Sequence, residues 1–367
     1  MTNMIKLGDV ATYINGYAFK PKDRGNVGLP IIRIQDLTGN AYDLGFYEGD
    51  YPKKIEINDG DILISWSASL GVYVWNRGRA LLNQHIFKVE FDKAEIDKKY
   101  FVYAVRQKLD DIEMKTHGAT MKHIVKKDFD ATQIPYPSLK EQVEIATNLD
   151  KVSKVIEFRK KELQLLDDLI KARFVEMFGD PANNEKGFIK APMGDYMTVL
   201  TDFSSNGSYK TLDSGVTMYD ESNYAWMVRT TDLESGDMTA IKYIDEEAYE
   251  LLAKSKIYGG EIIMNKIGSA GKIYLMPQID IPASLGRNAF MFRYDERINV
   301  KFLYHLLTSE YGQREIQQYV RGAVTKTITK KDVRAVLIIV PPIELQNEFE
   351  SFVEQVNKSK VVLLSIK

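Results

Sequence analysis

Cysteine is absent from this 367-residue chain. That excludes disulfides, thiol nucleophiles and cysteine-ligated zinc, and it suits a reducing compartment. Histidine is scarce: His85, His117, His123 and His305 are scattered without ligand spacing, so no metal site is expected. No apolar run approaches the roughly 18–20 residues needed to span a bilayer. The first six residues lack the apolar core and cleavage signal of an export segment, so a cytoplasmic location is expected. Net charge is nearly absent as well. The chain has 49 Lys+Arg against 51 Asp+Glu, a balance of -2, which argues against polyanion binding by bulk positive charge but leaves room for a local basic face. Nucleotide motifs are missing too. Gly268-Ser269-Ala270-Gly271-Lys272 has the wrong spacing for a phosphate loop, and no Gly-x-Gly-x-x-Gly opens a helix after a strand. There is no Asp/Asn-Pro-Pro-aromatic tetrad of the kind that grips a flipped base. Glu113-Met114-Lys115 resembles the end of a nuclease motif, but Asp110 and Asp111 sit too close to it on one helix. With no catalytic constellation, the chain reads as a binding protein.

What is present is a duplication. Lys6-Leu7-Gly8-Asp9 is answered by Pro192-Met193-Gly194-Asp195, and Pro30–Leu37 by Ala225–Leu233. Asp59-Gly60-Asp61-Ile62-Leu63-Ile64 is answered by Gly259-Gly260-Glu261-Ile262-Ile263-Met264, and Ser69–Tyr73 by Ser269–Ile273. His117-Gly118-Ala119-Thr120 matches Arg321-Gly322-Ala323-Val324, and Lys126-Lys127-Asp128 matches Lys330-Lys331-Asp332. The spacing is 186 residues from Asp9 to Asp195, 200 from Gly60 to Gly260 and 204 from Gly118 to Gly322. Six blocks in one order with so small a drift mean one unit copied once, with a few loop insertions. The period is far too long for a solenoid, so two domains in tandem are expected.

Each unit opens with short β-rich runs separated by Gly, Asn and Asp turns, continues into a helical segment, and closes at a Pro-marked boundary before a longer helix. The fold class is α+β. The expected divisions are 1–138 and 181–342 for the globular parts, 139–180 for a central long helix and 343–367 for a shorter distal one. The central helix carries a heptad seam through Ile145, Leu149, Val152, Ile156, Leu163, Leu166, Ile170 and Met177, stopped by Gly179-Asp180-Pro181. The distal helix repeats the register with Phe349, Val353, Val356 and Leu363. The seams predict that the two helices pair with each other as a coiled coil, with Ile145, Leu149, Val152 and Ile156 on one side and Phe349, Val353, Val356 and Leu363 on the other. At the 204-residue spacing Lys367 corresponds to Leu163. The counterpart of Gln164–Asp180 is therefore missing from the distal helix, and the far end of the central helix is expected to need another partner.

The ordered blocks carry a family resemblance: Lys6-Leu7-Gly8-Asp9, Gly60-Asp61-Ile62-Leu63 and Ile134-Pro135-Tyr136-Pro137-Ser138-Leu139-Lys140-Glu141-Gln142. Their second copies include Val340-Pro341-Pro342-Ile343-Glu344-Leu345-Gln346. Over essentially its whole length the chain resembles the DNA-specificity subunit of type I restriction-modification systems. The resemblance implies two target-recognition domains, each reading one half of a split DNA site, with helices that pair as an antiparallel coiled coil, set the spacing and hold two methyltransferase subunits. Those partners would carry S-adenosylmethionine and methylate adenine, and translocating restriction subunits would complete the assembly. This chain would bind no cofactor and catalyse nothing.

Direct readout of DNA needs exposed donors and acceptors. In the first unit the candidates are Ser65, Trp66 and Ser67 after the mid-unit strand, the polar knot Asn83-Gln84-His85, and Thr120, Lys122 and His123 beyond the Gly118 turn. In the second they are Asn265 and Lys266, Arg287 and Asn288, and Thr325 and Lys326. Arg33 and Arg229 match across the copies. Because both halves keep them, a phosphate or structural role is expected rather than base reading. Two rival readings are a coiled-coil scaffold without DNA readout and a fused methyltransferase or nuclease. The first leaves unexplained why the copies diverged between their shared blocks, and the second lacks its motifs.

Overall fold

The computed structural model describes residues 3–40, 43–115 and 124–365. It comprises two compact units, Met1–Phe158 and Arg159–Lys367. The division falls inside the central helix, Leu139–Phe178, which is continuous across it.

The first unit contains β1 (Met4–Lys6), β2 (Thr12–Asn15), β3 (Leu29–Ile32), β4 (Gly45–Tyr47), β5 (Glu56–Ile57), β6 (Ile62–Ser65), β7 (Gly71–Val74), β8 (Ala80–Leu82), β9 (Ile86–Glu90) and β10 (Gln133–Pro135). One sheet has the order β2-β9-β6-β7, a second has β4-β3-β8-β5, and β1 pairs with β10. A helix at Lys98–Lys115, the brace helix, follows the sheets. The second unit has β11 (Ile189–Pro192), β12 (Met197–Asp202), β13 (Ala225–Val228), β14 (Lys242–Ile244), β15 (Lys256–Ile257), β16 (Ile262–Asn265), β17 (Ile273–Leu275), β18 (Ala283–Leu285), β19 (Ala289–Tyr294) and β20 (Leu337–Val340). Its sheets run β12-β19-β16-β17 and β14-β13-β18-β15, with β11 on β20, so the topology of the first unit is repeated strand for strand. Its brace helix is Val300–Thr308.

β6 and β16 read as unbroken apolar runs because both of their faces are covered. Ile62 and Ile64 join the core that holds the brace helix, while Leu63 joins a second core with Leu81 and Ile86. Ile262, Met264 and Ile263 divide in the same way.

The repeated sequence blocks are joints of this fold. A Cβ on Gly8 would lie 3.0 Å from that of Asp130, and one on Gly194 would lie 2.8 Å from that of Arg334, so glycine permits the close approach of two chain segments in each unit. Gly60 and Gly260 take left-handed backbone, φ +90° and +84°, in the turn before β6 and β16. The acidic residue that follows closes that turn. Asp61 accepts the Asn58 amide at 2.8 Å and pairs with Lys88 at 3.2 Å. Glu261 accepts the Tyr258 and Gly259 amides, each at 2.9 Å, and pairs with Arg293 at 3.0 Å. The glutamine after each Pro-marked boundary is buried and bonded at both ends. Gln142 accepts the Asp97 amide and donates to the Pro137 carbonyl, both at 2.9 Å. Gln346 accepts the Asn299 amide and donates to the Pro341 carbonyl, both at 2.8 Å. Each glutamine thus fixes the start of a long helix to the start of a brace helix.

Within the second unit the rest of the central helix lies antiparallel to the distal helix, Ile343–Ser365. Arg173 meets Glu348 at 2.8 Å, and further along Asp167 meets Lys360 at 2.6 Å. Ile170, Phe174, Met177 and Phe178 are buried with Phe349, Val353 and Val356, and the Phe174 and Phe349 rings meet edge to face at 5.4 Å. The antiparallel pairing is as expected, and Phe349, Val353 and Val356 take part in it, but the residues expected on the central helix do not. Ile145, Leu149, Val152 and Ile156 are 38–55% exposed, and Leu363 is only half-buried. The reason is geometric: antiparallel helices bring the start of one against the end of the other, so segments matched by the duplication do not meet. It also corrects the expectation that the far end of the central helix lacks a partner in this chain.

Candidate nucleic-acid interface

At the end of β6 and of β16 the backbone builds the same edge twice. The Trp66 amide donates to the His85 carbonyl at 3.2 Å, and the Ile124 amide donates to the Trp66 carbonyl at 2.9 Å. In the second unit the Lys266 amide donates to the Asn288 carbonyl at 2.8 Å, and the Ile328 amide to the Lys266 carbonyl at 3.2 Å. His85 and Asn288 both take left-handed backbone, φ +72° and +66°, which turns their side chains out of the ladder just before β9 and β19. The frame is common to both units and the side chains on it differ.

In the first unit Ser65 is buried and its hydroxyl donates to the Ser69 carbonyl at 2.5 Å, so it locks the β6–β7 turn and is no base reader. Trp66 is half-buried. Its ring stacks on Phe87 at 5.6 Å and meets His85 at 4.9 Å, and its indole N–H donates to Asn15 at 3.3 Å. It is a wall of the edge more than a free aromatic platform. Ser67 is half-buried, Gln84 and His85 are exposed, and Asn83 is tied through its backbone amide to the Ile32 carbonyl at 3.0 Å. Thr120, Lys122 and His123 lie outside the described residues.

In the second unit Asn265 is largely buried and donates to the Tyr274 hydroxyl at 3.3 Å. Lys266, expected to read a base, is engaged instead: its ammonium binds Asp202 at 2.8 Å, and Lys330 binds the other carboxylate oxygen at 2.7 Å. Burial works to raise the Asp202 pKa, but bonds from Lys266, Lys330, Ser205 and Ser204 outweigh it and hold the carboxyl well below the ordinary range. In the first unit Asn15 takes the place of Asp202, each opposite the same phenylalanine of the neighbouring strand, Phe87 or Phe290. A neutral Asn15–Trp66 contact therefore replaces an ion triad.

Arg287 is exposed, its guanidinium over the Phe203 ring at 5.0 Å and bonded to Asp213 at 3.1 Å. Beside it a cleft of about 400 Å³ is lined by residues that include Arg229, Thr231, Glu234, Asn265, Arg287 and Asn288. Thr325 and Lys326 are exposed on the neighbouring 321–327 loop, pinned where the Gly268 amide donates to the Lys326 carbonyl at 2.9 Å. The sequence reading missed Thr231 and Glu234, which line the same cleft. The signal available was their position just after Arg229, Thr231 within the kept block and Glu234 directly behind it.

Arg33 and Arg229 are helix-capping joints. Arg33 binds Asp36 at 2.9 Å and donates to the Asp43 carbonyl. Arg229 binds Asp232 at 2.5 Å and donates to the Ala240 carbonyl at 2.8 Å. Their guanidiniums are committed within the fold, which removes them as base readers. Among the described residues no group of three or more His, Asp or Glu could hold a metal ion, and no helix is long and apolar enough to cross a membrane.

One backbone built twice, with different side chains on the same edge, defines a modular recognition protein. Residues 2–167 and again 196–364 match the type I restriction modification DNA specificity domain, and the chain belongs to that family. The EcoBI specificity subunit of Escherichia coli is 27% identical over 374 residues, covering 96% of this chain and 78% of its own. The MjaVIII specificity subunit of Methanocaldococcus jannaschii is 25% identical over 312 residues, covering 80% and 71%. The S subunit structure from M. genitalium shares the fold at TM-score 0.54 and 15% identity, over 99% of this chain and 93% of that one. A chain from a structure of type I system assembly and conformational transition gives 0.55 at 15% identity, over 98% and 91%. A subunit of this family supplies DNA sequence recognition inside a type I restriction-modification complex and is not its catalyst.

Proposed function

We propose that each unit reads one half of a bipartite DNA site through the edge described above. Ser67, Gln84 and His85 face the first half. Arg287, Asn288, Thr325 and Lys326 face the second, with Asn265 deeper in the cleft and Glu234, exposed and held by Lys272 and Tyr274, at its rim. The observation that carries this reading is the matched frame with unmatched side chains: His85 against Asn288 and Trp66 against Lys266, on the same backbone hydrogen bonds. Arginine and asparagine suit guanine and adenine edges, and a carboxylate suits the cytosine amino group. The near-neutral chain gains its phosphate contacts from its partners: two methyltransferase subunits docked on the helices and holding S-adenosylmethionine, and restriction subunits completing the cytoplasmic assembly.

The test is to co-express the chain with its methyltransferase and map adenine methylation across a genome by long-read sequencing. The expected result is a split motif with a fixed gap. Arg287→Ala with Thr325→Ala should alter the bases of one half only. No motif from an assembled complex, or equal loss of both halves, would count against the reading.

A further inference from the structure

We propose that Gln84 and Arg287 are one position of the fold used for two different bases. Gln84 selects an A·T pair of the first half-site, other than the methylated one, and Arg287 selects a G·C pair of the second. Asp213 and Tyr209 act as positioning residues for the guanidinium. This rests on the reading above, in which each unit's edge faces one half-site.

The backbone sets the correspondence. β8 lies parallel to β3 with Leu82 opposite Ile32, and β18 lies parallel to β13 with Leu285 opposite Val228. One residue further on, the Asn83 amide donates to the Ile32 carbonyl at 3.0 Å, and the Gly286 amide to the Val228 carbonyl at 2.8 Å. Two residues beyond these stand His85 and Asn288, left-handed in both units, whose carbonyls accept the Trp66 and Lys266 amides. Gln84 and Arg287 are the exposed middle residues of this corner. A residue held between two fixed points cannot slide along its strand, so both side chains leave the backbone at the same place.

The supports beneath them differ as the two side chains require. Gly16 and Phe203 each follow the matched pair Asn15 and Asp202. A Cβ on Gly16 would collide with the Asn83 carbonyl, so the first unit closes its chain directly on the corner, and the Gln84 amide donates to the Tyr17 carbonyl at 2.9 Å. In the second unit the Phe203 ring lies 5.0 Å from the Arg287 guanidinium. Twelve residues separate Gly16 from β3, whereas twenty-one separate Phe203 from β13. Part of the longer segment folds as the helix Tyr209–Gly215, anchored by buried Leu212 in a core with Phe203 and Met227. That helix brings the Tyr209 ring to 5.9 Å from the guanidinium and Asp213 to 3.1 Å from its Nη2. Two rings and a carboxylate hold a planar cation in one orientation. Asp213 takes one Nη2 hydrogen, and the rest of the fork matches guanine O6 and N7, while the glutamine amide matches adenine N6 and N7.

The test uses the complex of the full chain with its methyltransferase. In methylation maps, Arg287→Gln should turn one G·C pair of the second half-motif into A·T and leave the first half unchanged. Gln84→Arg should do the reverse in the first half alone. A second measurement needs no variant: duplexes carry 7-deazaguanine, which lacks only the N7 acceptor, at each guanine of the second half in turn. The wild-type complex should bind one of them about tenfold more weakly. Asp213→Asn should lower the preference for G·C over A·T at that pair about tenfold, without weakening binding to the A·T duplex, and Asp213→Glu should restore it. A merely structural role would weaken both duplexes alike, and that result would remove Asp213 as a positioning residue. Three results would overturn the proposal and leave the half-site reading intact: unchanged bases in both base-swap variants, tolerance of 7-deazaguanine at every guanine, or a second half-motif without guanine. Absence of any split motif from the wild-type complex would overturn both.

Discussion

At the scale of single residues, the kept positions hold the fold and the changed positions face outward. Arg33 and Arg229 illustrate the first kind. Their retention in both copies was legible in the sequence, and so was the inference that neither is a base reader. Their capping of Asp36 and Asp232 was not, because it depends on where the chain turns next. Lys266 illustrates the opposite error. A lysine after a strand looks available, but Asp202 is 64 residues earlier and reaches it only in the folded sheet. His305 carries a prediction of its own. It sits on the second brace helix, edge-on to Phe349 at 5.3 Å. Burial, then the nearby Lys360, pushes its pKa down to about 4 against the pull of Asp167. The folded chain therefore keeps the ring neutral while the unfolded chain takes up a proton near pH 6.5. Stability should fall as pH drops from about 6.5 toward 4, by at most about 3 kcal/mol, and no further through this group below that. Urea unfolding across that window should show the slope, and His305→Phe should flatten it. An equal slope in the variant would assign the loss to other groups.

At the scale of elements, period was legible and the register of the pairing was not. The heptad seam announces a pairing helix, but the same spacing serves parallel and antiparallel partners and any pair of halves. The contact that decided the matter, Arg173 with Glu348, joins residues 175 apart, beyond any local pattern. The strands show a similar limit. Apolar runs at β6 and β16 were visible, while their central place between two cores depended on the sheet order. The helix pairing in the second unit rests on Phe174, which touches Phe178, Phe302 and Phe349 and is only 6% exposed. Truncation there leaves a cavity that three aromatic neighbours cannot close, so Phe174→Ala should cost about 3–5 kcal/mol. Hydrogen exchange should locate that loss in residues 343–365 and in the end of the central helix. Protection there equal to wild type would mean that the pairing is held by its flanking ion pairs.

At the scale of the whole molecule, the duplication gives two units that are each self-contained. Each unit closes its own cores: the first ends its contacts by Phe158, and the second recruits the central helix only from Arg159 onward. Just before that division the helix carries exposed side chains, with Ile156 at 50% and Phe158 at 68%. A change made there touches neither unit's buried core. If the central helix sets the gap between half-sites, four residues inserted after Phe158 add about 6 Å of rise and roughly 40° of rotation. Against about 34 Å per turn of DNA, that rise corresponds to about two base pairs. The inserted residues should be helix formers, Ala-Glu-Ala-Lys for example, so that the helix remains continuous. Methylation mapping should then return both half-motifs unchanged with a longer unspecified gap. An unchanged gap would place the ruler elsewhere, in the partner subunits or the DNA. Loss of one half-motif alone would show that the helix also orients a reading unit.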